Sequence, residues 1–164
     1  MILGHGALAV LARDLNTGAP WWLLFAASFG PDLLDKPLAI AFDLTDRGVG
    51  HSFLSLAGVA LLLLLVWRFG LLPGRQAALA LALWVLHLIT DFPTAMTFWW
   101  PLYGMPSGEY LLDREFAHWT AFYLSPKLTP VFVLDACLCA LALTRLGVLL
   151  VARQRRKASN TLYL

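Results

Sequence analysis

Phe53-Leu54-Ser55-Leu56-Ala57-Gly58-Val59-Ala60-Leu61-Leu62-Leu63-Leu64-Leu65-Val66-Trp67 contains no charged residue. With Val49 to Ser52 before it and Arg68 to Leu72 after it, a helix at 1.5 Å per residue reaches the ~30 Å of a bilayer's hydrocarbon core. The stretch therefore predicts a membrane helix. A second apolar run, Gln76 to Phe92, follows through the turn Leu72-Pro73-Gly74-Arg75, which predicts an antiparallel pair of helices. A third runs from Leu128 to Val151 and carries one acid, Asp135, and one base, Arg145. The two N-terminal runs, Ile2 to Ala12 and Trp21 to Gly30, offer only about 16 Å of helix each. They read as short tilted spans or as a re-entrant hairpin about the turn Arg13 to Pro20. The expected fold is an all-α polytopic membrane bundle of four to five membrane helices, the first two short. It forms one domain over residues 1–157, followed by a C-terminal tail, 158–164.

Composition agrees with this reading. The chain has 164 residues, of which 60% are hydrophobic and 13% charged, and its mean hydropathy is +0.72. Those values exclude an ordinary water-soluble enzyme. The formal charge of +2 is too small and too dispersed for a nucleic-acid-binding face, so no nucleic acid is expected as partner. Cys137 and Cys139 would point about 200° apart on a helix and read as packing residues. Met1 to Ala12 lacks a basic region, so no cleavable signal peptide is expected.

Eight of the twelve Lys and Arg fall on one side of this topology: Arg13, Arg68, Arg75, Arg145, Arg153, Arg155, Arg156 and Lys157. The positive-inside rule makes that side, with the C-terminus, cytoplasmic in an inner (plasma) membrane. The opposite side receives Pro31 to Gly50 and the aromatic stretch Pro93 to Lys127. Leu111, Leu112, Phe116, Trp119 and Phe122 recur there at helical spacing and predict a short interfacial helix.

Ionisable residues at membrane depth are read first as functional. His87 and Asp91 are four apart, so both project from one face of a helix. This spacing suits two ligands of one metal, and equally an interhelical hydrogen bond. His51 opens the long apolar run from the outer side. Asp32 and Asp35 follow the second short run, and His5 lies near the outer end of the first. Six donors, His5, Asp32, Asp35, His51, His87 and Asp91, thus come from four segments yet share one depth and one side. Three imidazoles and three carboxylates suit a divalent metal such as zinc, manganese or iron, and six donors suffice for two ions. Arg47 is a candidate clamp for a phosphate oxygen. Ser52 reads as a helix cap, and Asp135 as a residue orienting a His or making a packing hydrogen bond. His118 reads as an interfacial His, and Lys36 as a snorkelling cation.

In this order the motifs Gly4-His5, Pro31-Asp32 with Asp35, Arg47-Gly48-Val49-Gly50-His51-Ser52, His87 to Asp91 and Trp100-Pro101 resemble the YdjM-like inner-membrane metal-dependent hydrolases. They are more distantly similar to the zinc-dependent phospholipase C and nuclease group. The similarity covers roughly residues 4 to 101. Asp46 stands where the family usually has a His, and Gly50 where it usually has Thr. The resemblance implies phosphoester chemistry at a multi-metal site.

The expected function is therefore an integral-membrane hydrolase in which metal activates a water for attack on an ester, with lipids or lipid-linked phosphoesters as the expected substrates. The six donors would bind metal, with Asp35 or Asp91 as base and Arg47 steadying substrate charge. Two other readings stay open: a non-catalytic membrane scaffold whose polar cluster knits helices, and a carrier. Carriers tend to show repeated halves and a polar path reaching both sides. The sequence shows neither, and it leaves the oligomeric state open.

Overall fold

The computed structural model describes residues 2–15, 18–42, 47–91, 95–104, 112–124 and 129–161, and its regular elements are all helices. In chain order they are α1 (Ile2–Ala12), a 3-10 turn (Arg13–Leu15), α2 (Trp21–Phe42), α3 (Phe53–Arg68), α4 (Gly74–Asp91), the short α5 (Ala95–Phe98), α6 (Leu112–Leu124) and α7 (Pro130–Thr161). α2 packs against α1 and α4, α7 against α1, and α3 against α4. Where α1, α2 and α4 meet, the core is built from Ala9, Ala12, Ala19, Leu23, Leu24, Ala27, Leu79, Ala80 and Leu83. Five of these nine are alanines, which lets the helix axes approach closely enough for polar side chains one turn further on to touch.

The second helix corrects the sequence reading. It does not end at Gly30 but continues through Pro31 and Pro37 to Phe42. Asp32 and Asp35 therefore sit within a helix, not in a loop. A proline inside a helix brings no N–H and props the preceding turn open. The Ala27 carbonyl, four residues before Pro31, thus has no N–H of residue 31 to accept, and next to it the Ser28 carbonyl accepts a hydrogen bond from His87 Nδ1 at 2.7 Å.

The third helix is also shorter than its apolar run. Ser52 caps it, its Oγ accepting the Ser55 N–H at 3.1 Å, so Val49 to Ser52 lie outside the helix. Beyond its other end, Gly70 adopts a positive φ of 71°, a conformation glycine reaches without steric penalty. Its 16 residues span about 24 Å, short of the hydrocarbon core. α7 has the length: Pro130–Ala152 is 23 residues of mean hydropathy 2.0, with only 11% of its most apolar stretch buried within the chain. It is the one helix among the described residues both long and apolar enough for a crossing. The helices thus do not bear out four to five crossings. α7 also continues as far as Thr161, so the tail expected from residue 158 begins as helix. The helix expected from the spacing of Leu112, Phe116, Trp119 and Phe122 forms as α6; Leu111 lies outside the described residues.

Close approach of α2 and α4 depends on Gly30, where an added Cβ would lie 1.9 Å from the Trp84 ring. Gly30→Ala is expected to destabilise the bundle by about 1–3 kcal/mol, as overpacking of a filled core does. Gly6→Ala, whose Cβ would meet Phe29 at an ordinary 3.8 Å, is expected to be neutral or mildly stabilising. Thermal unfolding midpoints of the two variants in detergent check the contrast.

Candidate metal centre

His87 and Asp91 project from the same face of α4, one turn apart, and both are buried. Asp32 reaches them from α2, just beyond the proline break, and His51 from the turn before α3. One donor atom from each of these four residues lies within 4.8 Å of all the others. His51 Nε2 is 3.1 Å from His87 Nε2 and 3.6 Å from Asp91 Oδ2. Asp32 Oδ1 is 4.0 Å from His51 Nε2 and 3.9 Å from His87 Nε2, and His87 Nε2 is 4.0 Å from Asp91 Oδ2. Four nitrogen and oxygen ligands held about 2.1 Å from a common tetrahedral centre stand about 3.4 Å from one another. The observed separations bracket that value.

Proton positions refine the fit. His87 Nδ1 faces the Ser28 carbonyl, which only accepts, so Nδ1 donates there. His51 Nδ1 lies 2.7 Å from Asp35 Oδ2, an arrangement that likewise places a proton on Nδ1. The two Nε2 atoms then face each other at 3.1 Å between rings that are both 0% exposed, a contact that either a proton shared between them or a metal ion makes favourable. The two carboxylates of the set would also balance the charge of one divalent ion, removing most of the penalty for burying them. Asp32, His51, His87 and Asp91 can therefore hold a metal ion.

Asp35, expected as a ligand and base, stands behind His51 instead. Its Oδ2 accepts the Gly48 N–H at 2.9 Å, the His51 N–H at 3.2 Å and the His51 ring, while Oδ1 accepts the Gly50 N–H at 2.6 Å. With both oxygens occupied by donors, it orients a ligand and holds the loop that carries it. Gly50 is required in that loop because a Cβ would meet the Pro31 carbonyl oxygen at 2.2 Å. His5, expected as a ligand, likewise lies outside the set of four. Its Nε2 is 3.1 Å from Asp91 Oδ1, its ring stacks on His87 at 3.8 Å, and its buried Nδ1 has no hydrogen-bond partner among the described residues. His5 thereby fixes one oxygen of Asp91 and leaves the other toward the cluster. Arg47 Nη2 lies 3.3 Å from that second oxygen, and its side chain is 37% exposed, so the guanidinium stands at the rim.

Some of the supporting residues were not evident beforehand. The Ser28 hydroxyl donates to the His5 carbonyl, pinning α1 to α2 at the level of the cluster; nothing in the sequence marks this serine. Asp135, buried in α7, accepts the Gly4 N–H at 2.7 Å and the Tyr123 hydroxyl at 3.0 Å. Tyr123 in turn accepts the Leu3 N–H at 3.1 Å. Burial pushes the Tyr123 hydroxyl up to about 12, so it stays protonated and donates. An acid from the last helix and the tyrosine it holds thus each satisfy one free N–H group in the first turn of α1, beside His5. Asp135 acts on the backbone next to a histidine and not on an imidazole. Asp46 and the side chain of His118 lie outside the described residues.

Set beside known protein families, curated proteins and solved structures, the chain matches none of them.

Asp35→Asn would turn an amide nitrogen toward a ring of N–H donors while leaving the four-residue set intact. Metal affinity is expected to fall about 10–100-fold, as it does when the partner orienting a ligating His is lost. Chelator competition on the purified variant measures it.

Proposed function

We propose that this chain is a membrane-embedded, metal-dependent phosphoesterase, with Asp32, His51, His87 and Asp91 holding one divalent cation, preferably zinc. The observation that carries the reading is the pair of buried imidazole Nε2 atoms 3.1 Å apart between two carboxylates. Two nitrogen and two oxygen donors suit zinc, with manganese and iron as the next candidates. A second ion would need His5, whose Nε2 faces Asp91 instead.

A bound divalent cation supplies Lewis-acid polarisation of a phosphoryl oxygen and lowers the pKa of a water toward neutrality. Hydrolysis would form a bond from the water oxygen to phosphorus and break the bond to the leaving oxygen, which takes up a proton. Arg47 would bind a non-bridging phosphoryl oxygen and steady the charge that grows there. Asp91, gripped by His5 on one oxygen and Arg47 on the other, cannot swing as that charge changes. Asp32 is the most open of the four, its side chain 16% exposed, and is the carboxylate a substrate would meet first. The order of motifs shared with the YdjM-like hydrolases supports the same chemistry.

Apolar surface supports a membrane setting. No residue of α3 is buried, and Leu54, Leu61, Leu62, Leu64 and Trp67 are about half exposed or more. Together with α7, this face would be hard to keep in water. Arg145 pairs with Asp14 near one end of the bundle, while Asp135 holds Gly4 near the other. Under the positive-inside rule the basic end is cytoplasmic, which would turn the cluster to the extracytoplasmic side.

Metal analysis of purified protein is expected to find about one ion per chain. In His51→Ala or Asp91→Ala the ion should be lost, along with turnover of phospholipid or polyprenyl-phosphate substrates. A folded wild type that carries no metal after incubation with zinc would favour a scaffold whose polar cluster only joins helices.

A further inference from the structure

Between the second half of α3 and the first half of α4 runs a groove of about 480 Å³ with a wall on each side. Ala60, Leu64 and Trp67 line it from α3, and Gly74, Ala78 and Leu81 from α4. Every one of these side chains is apolar. From Ala60 to Trp67 the groove extends about 10 Å, and Leu64 and Trp67 are 51% and 53% exposed, so it opens to the outside. At one end the Trp67 indole lies against the start of α4, where a Cβ on Gly74 would come 2.9 Å from Trp67 Nε1. Beyond that end the chemistry changes. Helical spacing places Arg68 one turn past Leu64 on the row that holds Ala60, and Arg75 one turn before Ala78 on the row that leads to Leu81. Both arginines are exposed, and both continue the walls of the groove at the same end.

Resting on the membrane setting but not on the phosphoesterase chemistry, we propose that the groove between α3 and α4 seats an acyl chain of an anionic phospholipid whose phosphate lies between Arg68 and Arg75. Charge complementarity argues for this occupant. The sequence holds no acid between Asp46 and Asp91, and Asp14, an acid at the same end of the bundle, is engaged by Arg145. The hairpin thus offers two guanidiniums, which suit phosphate oxygens, and no carboxylate of its own to meet them. An acyl chain begins where its head group ends, and the apolar walls begin one turn from the two arginines. Trp67 stands at that border, the level at which an indole meets head groups on one side and hydrocarbon on the other. A second copy of the chain fits the groove less well. Seated by rotation about the membrane normal, it would bring four arginines to one depth with no acid from either hairpin to separate them. The site is also separate from the His/Asp cluster, since Gly74 lies about 20 Å along α4 from His87.

Native mass spectrometry of the full chain in detergent, titrated with phosphatidylglycerol and with phosphatidylcholine bearing the same acyl chains, tests the site. Phosphatidylglycerol is expected to bind about tenfold more tightly, as two arginines near a membrane surface favour an anionic lipid. In Arg68→Gln/Arg75→Gln the preference should fall toward one, and in Arg68→Lys/Arg75→Lys most of it should remain. Ala78→Phe fills the groove at an exposed position. It should weaken both lipids about fivefold or more, because methylenes lose their seat, and leave their ratio unchanged. Equal affinities for the two lipids in the wild type, or affinities unmoved by Ala78→Phe, overturn the proposal. A dimer that persists as phosphatidylglycerol is added overturns it in favour of a second copy. The titration needs neither zinc nor turnover, so failure of the phosphoesterase reading leaves its result standing, whereas a wild type that stays dispersed in buffer without detergent removes the membrane setting and the lipid site together.

Discussion

Two imidazole Nε2 nitrogens buried 3.1 Å apart set the terms for the rest of the molecule. Neither ring can turn away. His87 is fixed by the Ser28 carbonyl and His51 by the Asp35 carboxylate. Rotating either ring would abandon a buried hydrogen bond, at about 1–3 kcal/mol for the group left unpaired. The facing of the two Nε2 atoms is therefore built in by their partners, and a proton or a metal ion between them can satisfy it. Asp32 and Asp91 complete the set with negative charge that a divalent ion would neutralise.

The backbone serves this arrangement in ways that would be defects elsewhere. Pro31 interrupts α2 beside the carbonyl that His87 requires, and the same interruption lies next to Asp32. The loop from Gly48 to His51 wraps the Asp35 carboxylate with three backbone N–H groups and passes so close to α2 that Gly50 has no room for a side chain. α1 is held at two levels of its N-terminal half, by Asp135 and Tyr123 at its first turn and by the Ser28 hydroxyl at His5. Each device acts at a histidine, at the backbone beside one or at the residue that orients one.

The sequence made the cluster more legible than the fold around it. His87 and Asp91 could be placed on one helical face because four-residue spacing leaves no other arrangement in a helix. His51 and Asp32 could be joined to them because polar groups at one depth of an apolar chain have few other partners. What the spacing could not reveal was which donors face inward and which stand behind. Asp35 and Asp32 are three apart on the same helix, and only the path of the loop from Gly48 to His51 separates a carboxylate that meets the cluster from one enclosed by N–H groups. The boundaries of α2 and α3 were misread for opposite reasons. Pro31 looks like a terminator because its tertiary compensation is invisible in the chain, whereas Val49 to Ser52 extend the apolar run although Ser52 itself reads as the cap it proves to be. Length then decided which helix suits a crossing: α7, and not the more conspicuous leucine run.

The position of the cluster within the bundle bears on what it can do. One turn further along α1, α2 and α4 stand Ala9, Leu24 and Leu83, each no more than 2% exposed. They close the space between the helices with hydrocarbon immediately beneath the histidines. A solute bound at the cluster would have to pass that plug to reach the far side, and the described residues offer it no polar foothold there. Access remains at the rim, where Arg47 and Asp32 are partly exposed, and along α2, where hydrocarbon begins one turn from the carboxylate. The cluster is thus closed by hydrocarbon on one side and reached from its partly exposed rim on the other.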